Sequence, residues 1–137
     1  MADPEVYVHP IEVQPEDIDI QGHVNNVVYL RYAQDAAVAH WMTAVPPEVR
    51  EGVAWFVRRH EIDYLKPAYP GDNLEARTWI GKAGGATMER FIEIGKVGGE
   101  VLARMRSVWV AIDPSSGRPR RVPESLRPPT SEMVSDD

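Results

Sequence analysis

The chain has 137 residues, of which 43% are hydrophobic and 26% charged, values that are typical of one globular domain of ordinary composition. Its net charge of -6 disfavours a nucleic-acid surface, which needs clustered cations, and no stretch reaches the ~18 consecutive apolar residues of a membrane span. The absence of cysteine excludes disulfides, thiolate nucleophiles and cysteine-ligated zinc. Since the sequence also lacks a basic region followed by an apolar core at its start, we expect a cytoplasmic protein, and the charge and the lack of an apolar span predict neither a nucleic-acid nor a membrane partner.

A first strand is predicted over residues 5–14, where β-branched and aromatic residues nearly alternate with polar ones. Pro10 lies within this strand and predicts an edge position or a bulge, because proline cannot donate a hydrogen bond to a sheet ladder.

A helix is predicted over residues 26–43, where apolar residues recur three and four positions apart. Asn25 directly precedes it and is a good N-cap, since its side chain can accept from amides of the first turn. Val27, Val28 and Val38 fall outside the main apolar stripe, so we expect a core helix that is buried on several sides.

Strand-like runs separated by turn signals follow the helix, at 53–65, 73–82, 86–96 and 100–113. The last three are joined by Gly84-Gly85 and Gly98-Gly99, which are typical of hairpin turns. We expect an antiparallel meander of four strands, with one curved sheet wrapped around the helix. The predicted fold class is α+β, with about five strands and one long central helix.

One domain is predicted over residues 1–127, and residues 128–137 are expected to form a disordered tail because prolines and charges dominate there. An open antiparallel sheet leaves unpaired strand edges. We therefore expect a homodimer or homotetramer.

The densest group of polar residues is the run Asp17 to Tyr29, Asp-Ile-Asp-Ile-Gln-Gly-His-Val-Asn-Asn-Val-Val-Tyr. A calcium loop is one interpretation, but position twelve of such a loop is Val28 in place of the bidentate glutamate. A metal site of Asp17, Asp19 and His23 is a second interpretation, and the other histidines lie on unrelated elements. We expect no metal and no cofactor.

The remaining interpretation is a carboxylate placed beside the N-terminus of a helix. Amides of the first helical turn have no partner within the helix and stabilise an adjacent anion. They can therefore act as an oxyanion hole, while Asp19 attacks a carbonyl or deprotonates a water. A thioester suits this chemistry, because its carbonyl is activated and its thiolate leaves readily.

The run Asp17 to Tyr32 resembles the Asp-x-Asp-x-x-Gly-His-Val-Asn-Asn-x-x-Tyr-Leu signature of the 4-hydroxybenzoyl-CoA thioesterase-like acyl-CoA thioesterases, which have the hot-dog fold. Residues 62–72 and 117–123 also resemble later segments of that family, and the resemblance covers roughly residues 5–125. It implies hydrolysis of an acyl-CoA substrate to the free acid and CoA, with an active site at a subunit interface. Alternatives are a hot-dog module that binds an acyl-CoA or acyl carrier without turnover, and a thioesterase for acyl carrier protein.

By this resemblance Asp19 is the catalytic nucleophile or general base, and the backbone amide of Asn26 polarises the thioester carbonyl. The acyl pocket would be lined by His23, Asn25 and Tyr29, although Asn25 is also read as a helix cap and Tyr29 as core. Asp17 is interpreted as a turn-forming acid that accepts backbone hydrogen bonds.

Candidates for contact with the CoA phosphates at the rim of the site are Arg58, Arg59 and Arg90. The floor of an acyl tunnel, or simply the core, would be formed by Trp41, Trp55, Phe56 and Met88.

Overall fold

The computed structural model describes residues 5–126, so the predicted tail at 128–137 lies outside the described residues. In chain order the elements are β1 (Tyr7–Ile11), a 3₁₀ turn (Pro15–Asp17), α1 (Asn26–Ala44), α2 (Pro47–Arg50), β2 (Ala54–Tyr64), β3 (Leu74–Gly84), β4 (Thr87–Lys96), β5 (Val101–Ile112) and a 3₁₀ turn (Glu124–Leu126). The predicted helix and all five predicted strands are present. The predicted fold class, α+β with a five-stranded antiparallel sheet and one long helix, is therefore confirmed.

The strand order is β1-β3-β4-β5-β2, and every neighbouring pair is antiparallel. The predicted four-strand meander is therefore wrong for β2, which pairs with β5 and not with β3. The physical reason lies in the connections: Gly85 and Gly98 have positive φ angles of 56° and 68° and make tight hairpins, whereas residues 65–73 form a longer connection containing Pro67 and Pro70.

Pro10 lies in β1, which is one edge of the sheet, and this confirms the predicted edge position. The other edge is β2. Both edge strands belong to one continuous sheet whose inner face packs against α1.

The inner face of the sheet and one side of α1 form the core, with Tyr29, Tyr32, Ala33 and Ala36 buried on the helix. The prediction that α1 is buried on several sides is wrong for a single chain, because the sheet covers one side only. On the uncovered side, Val27 is 66% exposed and Met42 is 54% exposed. Although α1 has 19 residues, no helix within residues 5–126 is both long and apolar enough to cross a membrane.

Candidate active site

The segment that precedes α1 folds back on itself as a short hairpin. Ile18 and Val24 form an antiparallel bridge, and the amide of Asp19 donates to the carbonyl of His23 at 3.1 Å. The chain reverses at Gly22, whose φ of 84° favours glycine. The second arm of this hairpin leads directly into α1.

Asp17 is fully buried and anchors the hairpin to the helix. One carboxylate oxygen accepts from the guanidinium of Arg31 at 2.6 Å, and the other accepts from the hydroxyl of Tyr32 at 2.8 Å and from the amide of Gln14 at 2.9 Å. Burial alone would raise the pKa of the Asp17 carboxyl, but these hydrogen bonds and the Arg31 charge outweigh it and lower that pKa. Asp17 thus accepts a backbone hydrogen bond as expected, and it also joins two side chains of α1, which the sequence did not indicate.

Asp19 is half-buried at the turn of the hairpin, and its carboxylate has a different environment. Oδ1 accepts from the amide of Gln21 at 2.9 Å, which holds the side chain in place. Oδ2 accepts no hydrogen bond from any group within residues 5–126. One oxygen of this carboxylate is therefore free to meet a water or a substrate.

Asn25 caps the helix that the hairpin enters. Its side-chain oxygen accepts from the amide of Val27 at 3.1 Å, and its backbone amide donates to the carbonyl of Asp17 at 2.9 Å. The predicted N-cap is confirmed. The next amide, that of Asn26, finds no acceptor in the described part of the chain and remains an available donor at the positive end of the helix.

Tyr64, the last residue of β2, is a further residue at this junction that no sequence pattern predicts. Its hydroxyl donates to the carbonyl of Asn26 at 3.0 Å, and its ring lies 5.5 Å from that of Tyr29. No local signal marks this contact, because the two partners are 38 residues apart. Tyr64 therefore couples an edge strand to the first residue of α1.

The other residues assigned to the acyl pocket occupy two kinds of position. His23 is half-buried, with its ring edge-on to that of Tyr69 at 6.3 Å. Tyr29 is only 2% exposed, and burial raises its pKa. Tyr29 is thus a core residue beneath the start of α1, whereas His23 remains accessible beside the hairpin.

The three arginines do not lie together. Arg58 and Arg59 are exposed on the edge strand β2, at an irregularity in its pairing with β5. Arg90 is only 2% exposed and faces α1, so the expectation that it lies at an exposed rim does not fit the structure. Arginine is a residue type that is usually exposed, which favours a position at the rim. Strand β4 instead places the Arg90 side chain among core residues.

The aromatic residues assigned to an acyl tunnel are also divided. Trp41, Trp55 and Met88 line a cavity beside the C-terminal half of α1. Phe56 points away from the core and is 60% exposed. This cavity lies towards the opposite end of α1 from the Asp19 hairpin.

The chain is also similar to a known protein family. The model of the thioesterase-like superfamily matches residues 13–129, which is most of the chain and includes both the hairpin and α1. The chain belongs to this superfamily. The predicted resemblance to the hot-dog thioesterases is confirmed. The predicted enzyme class, thioester hydrolase, is confirmed as well.

Individual relatives agree with this superfamily assignment. The acyl-CoA thioester hydrolase YbgC of Escherichia coli O6:H1 is 28% identical over 120 residues, which are 85% of this chain and 90% of that protein. A thioesterase of Thermus thermophilus, solved with coenzyme A and Zn, superposes with a TM-score of 0.76 at 29% identity, covering 87% of this chain and 86% of that one. The acyl-carrier-protein hydrolase FATB2 of Cuphea viscosissima is 27% identical over 72% of this chain but only 26% of its own length.

Proposed function

We propose that this superfamily member hydrolyses an acyl-CoA, with Asp19 as the reacting carboxylate and the Asn26 amide as the oxyanion donor. The observation that carries the proposal is that one hairpin-helix junction holds both a carboxylate oxygen without a donor and an amide without an acceptor within residues 5–126. The rest of that junction is held rigidly by Asp17 and Asn25.

In the reaction, water adds to the thioester carbonyl carbon and the carbon–sulfur bond breaks. As general base, Asp19 takes a proton from the attacking water and returns it to the departing thiolate. As nucleophile, Asp19 first forms an anhydride with the acyl group, which water then hydrolyses. On either route negative charge develops on the carbonyl oxygen, where the Asn26 amide and the positive end of α1 stabilise it.

CoA is favoured over acyl carrier protein as the group that carries the acyl chain. The name of the E. coli relative and the CoA in the T. thermophilus structure both support CoA. The match to the Cuphea hydrolase keeps acyl carrier protein as a second candidate. The net charge of -6 weighs against it, because carrier proteins are usually acidic and would be repelled.

A thiol-release assay over short, long and aromatic acyl-CoAs tests this function, with the same acyl groups on acyl carrier protein in parallel. We expect turnover of at least one acyl-CoA, at a higher kcat/KM than for the matched carrier ester. If acyl-CoAs bind but no thiol is released, the chain is instead a binding module without turnover.

For the CoA phosphates we propose Arg58 and Arg59. Both are exposed on β2, and Arg58 forms no ion pair with a described residue, while Arg59 is 3.7 Å from Glu61. Guanidinium groups are well suited to phosphate because they donate several hydrogen bonds in one plane.

We also propose that two chains associate through β2 and the uncovered side of α1, as a homodimer or as part of a homotetramer. The edge strand β2 has eleven residues and carries the exposed Phe56, and the uncovered side of α1 carries the exposed Val27 and Met42; proteins usually cover edge strands and exposed apolar residues of this kind. Tyr64 lies at the end of the same strand and touches Asn26, so this interface would adjoin the proposed catalytic junction.

Sedimentation velocity at micromolar concentration is expected to show at least a dimer for the wild type and a shift to monomer for Phe56→Asp. Thiol release should fall together with association if the partner completes the site. A monomeric wild type with full activity would exclude this arrangement.

A further inference from the structure

Arg90 is a buried cation without an anionic partner among the described residues. Its Nη1 donates to the Thr78 hydroxyl at 2.8 Å and to Nδ1 of His40 at 3.1 Å. Its Nε is buried and has no hydrogen-bond partner in the part of the chain that the structure describes. Removing a charged guanidinium from water costs free energy, so a buried guanidinium is normally paired with a negative group.

The neighbours of Arg90 cannot supply that charge. Because a guanidinium only donates, Nδ1 of His40 must accept and its ring must be neutral, in agreement with a His40 pKa lowered to about 4 by burial and by the Arg90 charge. Ser107, opposite Arg90 in the sheet, is hydrogen-bonded to His60 at 2.6 Å. Burial lowers the pKa of Arg90 to about 10, which still leaves it protonated at neutral pH.

A second unsatisfied donor lies on the same cavity. Nε1 of Trp109 is buried and has no acceptor among residues 5–126, and both Trp109 and Arg90 line the cavity beside α1. The other walls are apolar and include Trp41, Trp55 and Met88. The cavity volume of about 50 Å³ exceeds the roughly 10–15 Å³ that one water needs, so there is room for a small polar group.

We propose that this cavity binds the carboxylate of a small organic acid, with Arg90 as its charge partner and the tryptophans around its apolar body. A monoanion with an apolar body matches one guanidinium in an aromatic cavity better than a phosphate, which needs more donors. The carboxylate can belong to a free acid or to the far end of an acyl group, and the chemistry of recognition is the same.

The proposal goes beyond the thioesterase reaction and does not depend on it. His40, which contacts Arg90, follows Asn26 by about four helical turns, or roughly 21 Å along the axis of α1. The carboxylate site is therefore distinct from the junction that carries Asp19.

Binding is tested on the full chain with acetate and butyrate, and with acetamide and butyramide as neutral controls at constant ionic strength. Calorimetry gives the affinity, and quenching of tryptophan fluorescence reports occupancy because three tryptophans line the cavity. We expect the acids to bind better than the amides, and Arg90→Met to weaken acid binding by about ten- to a hundredfold, as for a lost charge-assisted hydrogen bond. Arg77→Met, an exposed arginine of β3, is the matched control and should bind as wild type does.

Arg90→Met is expected to fold, because replacing a buried charge by an apolar side chain is often neutral or stabilising. Arg90→Lys is the second variant, and it should keep part of the preference for acids over amides. If both variants bind acids and amides as wild type does, Arg90 is not the anion partner and the proposal is wrong.

The source of the carboxylate is distinguished in the Asp19→Asn background, which is expected to bind CoA esters without appreciable turnover. Tighter binding of hexadecanedioyl-CoA than of palmitoyl-CoA, lost with Arg90→Met, would assign the site to a carboxylate on the acyl group, because only a long chain spans the roughly 21 Å between the two sites. Binding of free acids alone would assign it to a separate ligand. No preference for a carboxylate in either series would overturn the proposal, whatever the outcome for thioester hydrolysis.

Four acids of the chain itself, Asp3, Glu132, Asp136 and Asp137, lie outside the described residues. The variant with all four changed to their amides tests whether they compete. Equal acid binding by this variant and wild type supports an external ligand. Acid binding that appears only in this variant would show that the chain supplies its own anion and would overturn the proposal.

Discussion

Asp19→Asn is expected to lower kcat for acyl-CoA hydrolysis by about 10²- to 10⁴-fold, the range found when a catalytic acid or base is removed. The amide can neither take a proton from water nor attack the carbonyl. It can still accept from the Gln21 amide through its oxygen, so the hairpin should keep its shape. We expect the melting temperature to change little, since substitutions at accessible positions usually alter stability by about 0.5 kcal/mol or less.

Single-turnover thiol release and a thermal melt of the same preparation measure both quantities. Asp35→Asn is the matched control, because it removes an exposed carboxylate from α1 that makes no hydrogen bond or ion pair within residues 5–126. Equal hydrolysis by wild type and Asp19→Asn on every acyl-CoA tested would remove Asp19 from the mechanism.

Asp17→Asn is expected to destabilise the fold by about 2–4 kcal/mol, which corresponds to a fall of roughly 10 °C in melting temperature for a domain of this size. The substitution removes the charge that pairs with Arg31, and it places an amide donor against the Tyr32 hydroxyl or the Gln14 amide. Arg31 is half exposed and can regain water, so most of the loss comes from the buried donors.

Urea unfolding of Asp17→Asn beside Glu16→Gln measures this effect, because Glu16 is an exposed acid in the same turn. The folded-state pKa of Asp17 is lowered, so its stabilisation is present above the ordinary value of 3.8 and is lost as pH falls below it. The difference in unfolding free energy between wild type and Asp17→Asn should therefore be largest near neutral pH and shrink in acid. An equal loss of stability in both variants would contradict the anchoring role.

The two acids thus have separable expected effects although they lie two residues apart. Loss of Asp17 should mainly reduce the free energy of unfolding. Loss of Asp19 should reduce kcat and leave the stability nearly unchanged. The reason is geometric: every hydrogen bond of the Asp17 carboxylate joins it to the protein, whereas one oxygen of Asp19 has no protein donor within residues 5–126.

The elements of the fold and the presence of the hairpin-helix junction were predictable from the sequence alone. Alternation and helical spacing located the five strands and α1, Gly84-Gly85 and Gly98-Gly99 marked the two hairpins, and Asn25 marked the start of the helix. These signals are readable because periodicity, turns and caps act over a few residues. Arg90 also alternates in register with Met88, Ile92 and Ile94, and this pattern is typical of the inner face of a strand.

The contacts between distant segments are visible only in the tertiary structure. It placed β2 beside β5, brought Arg31 and Tyr32 to Asp17, set Tyr64 against Asn26 and enclosed Arg90 between Thr78 and His40. Each of these contacts joins residues more than ten positions apart, and it forms only once these segments have come together in the folded chain. No local pattern encodes such a contact, because its free energy depends on burial that the whole fold creates.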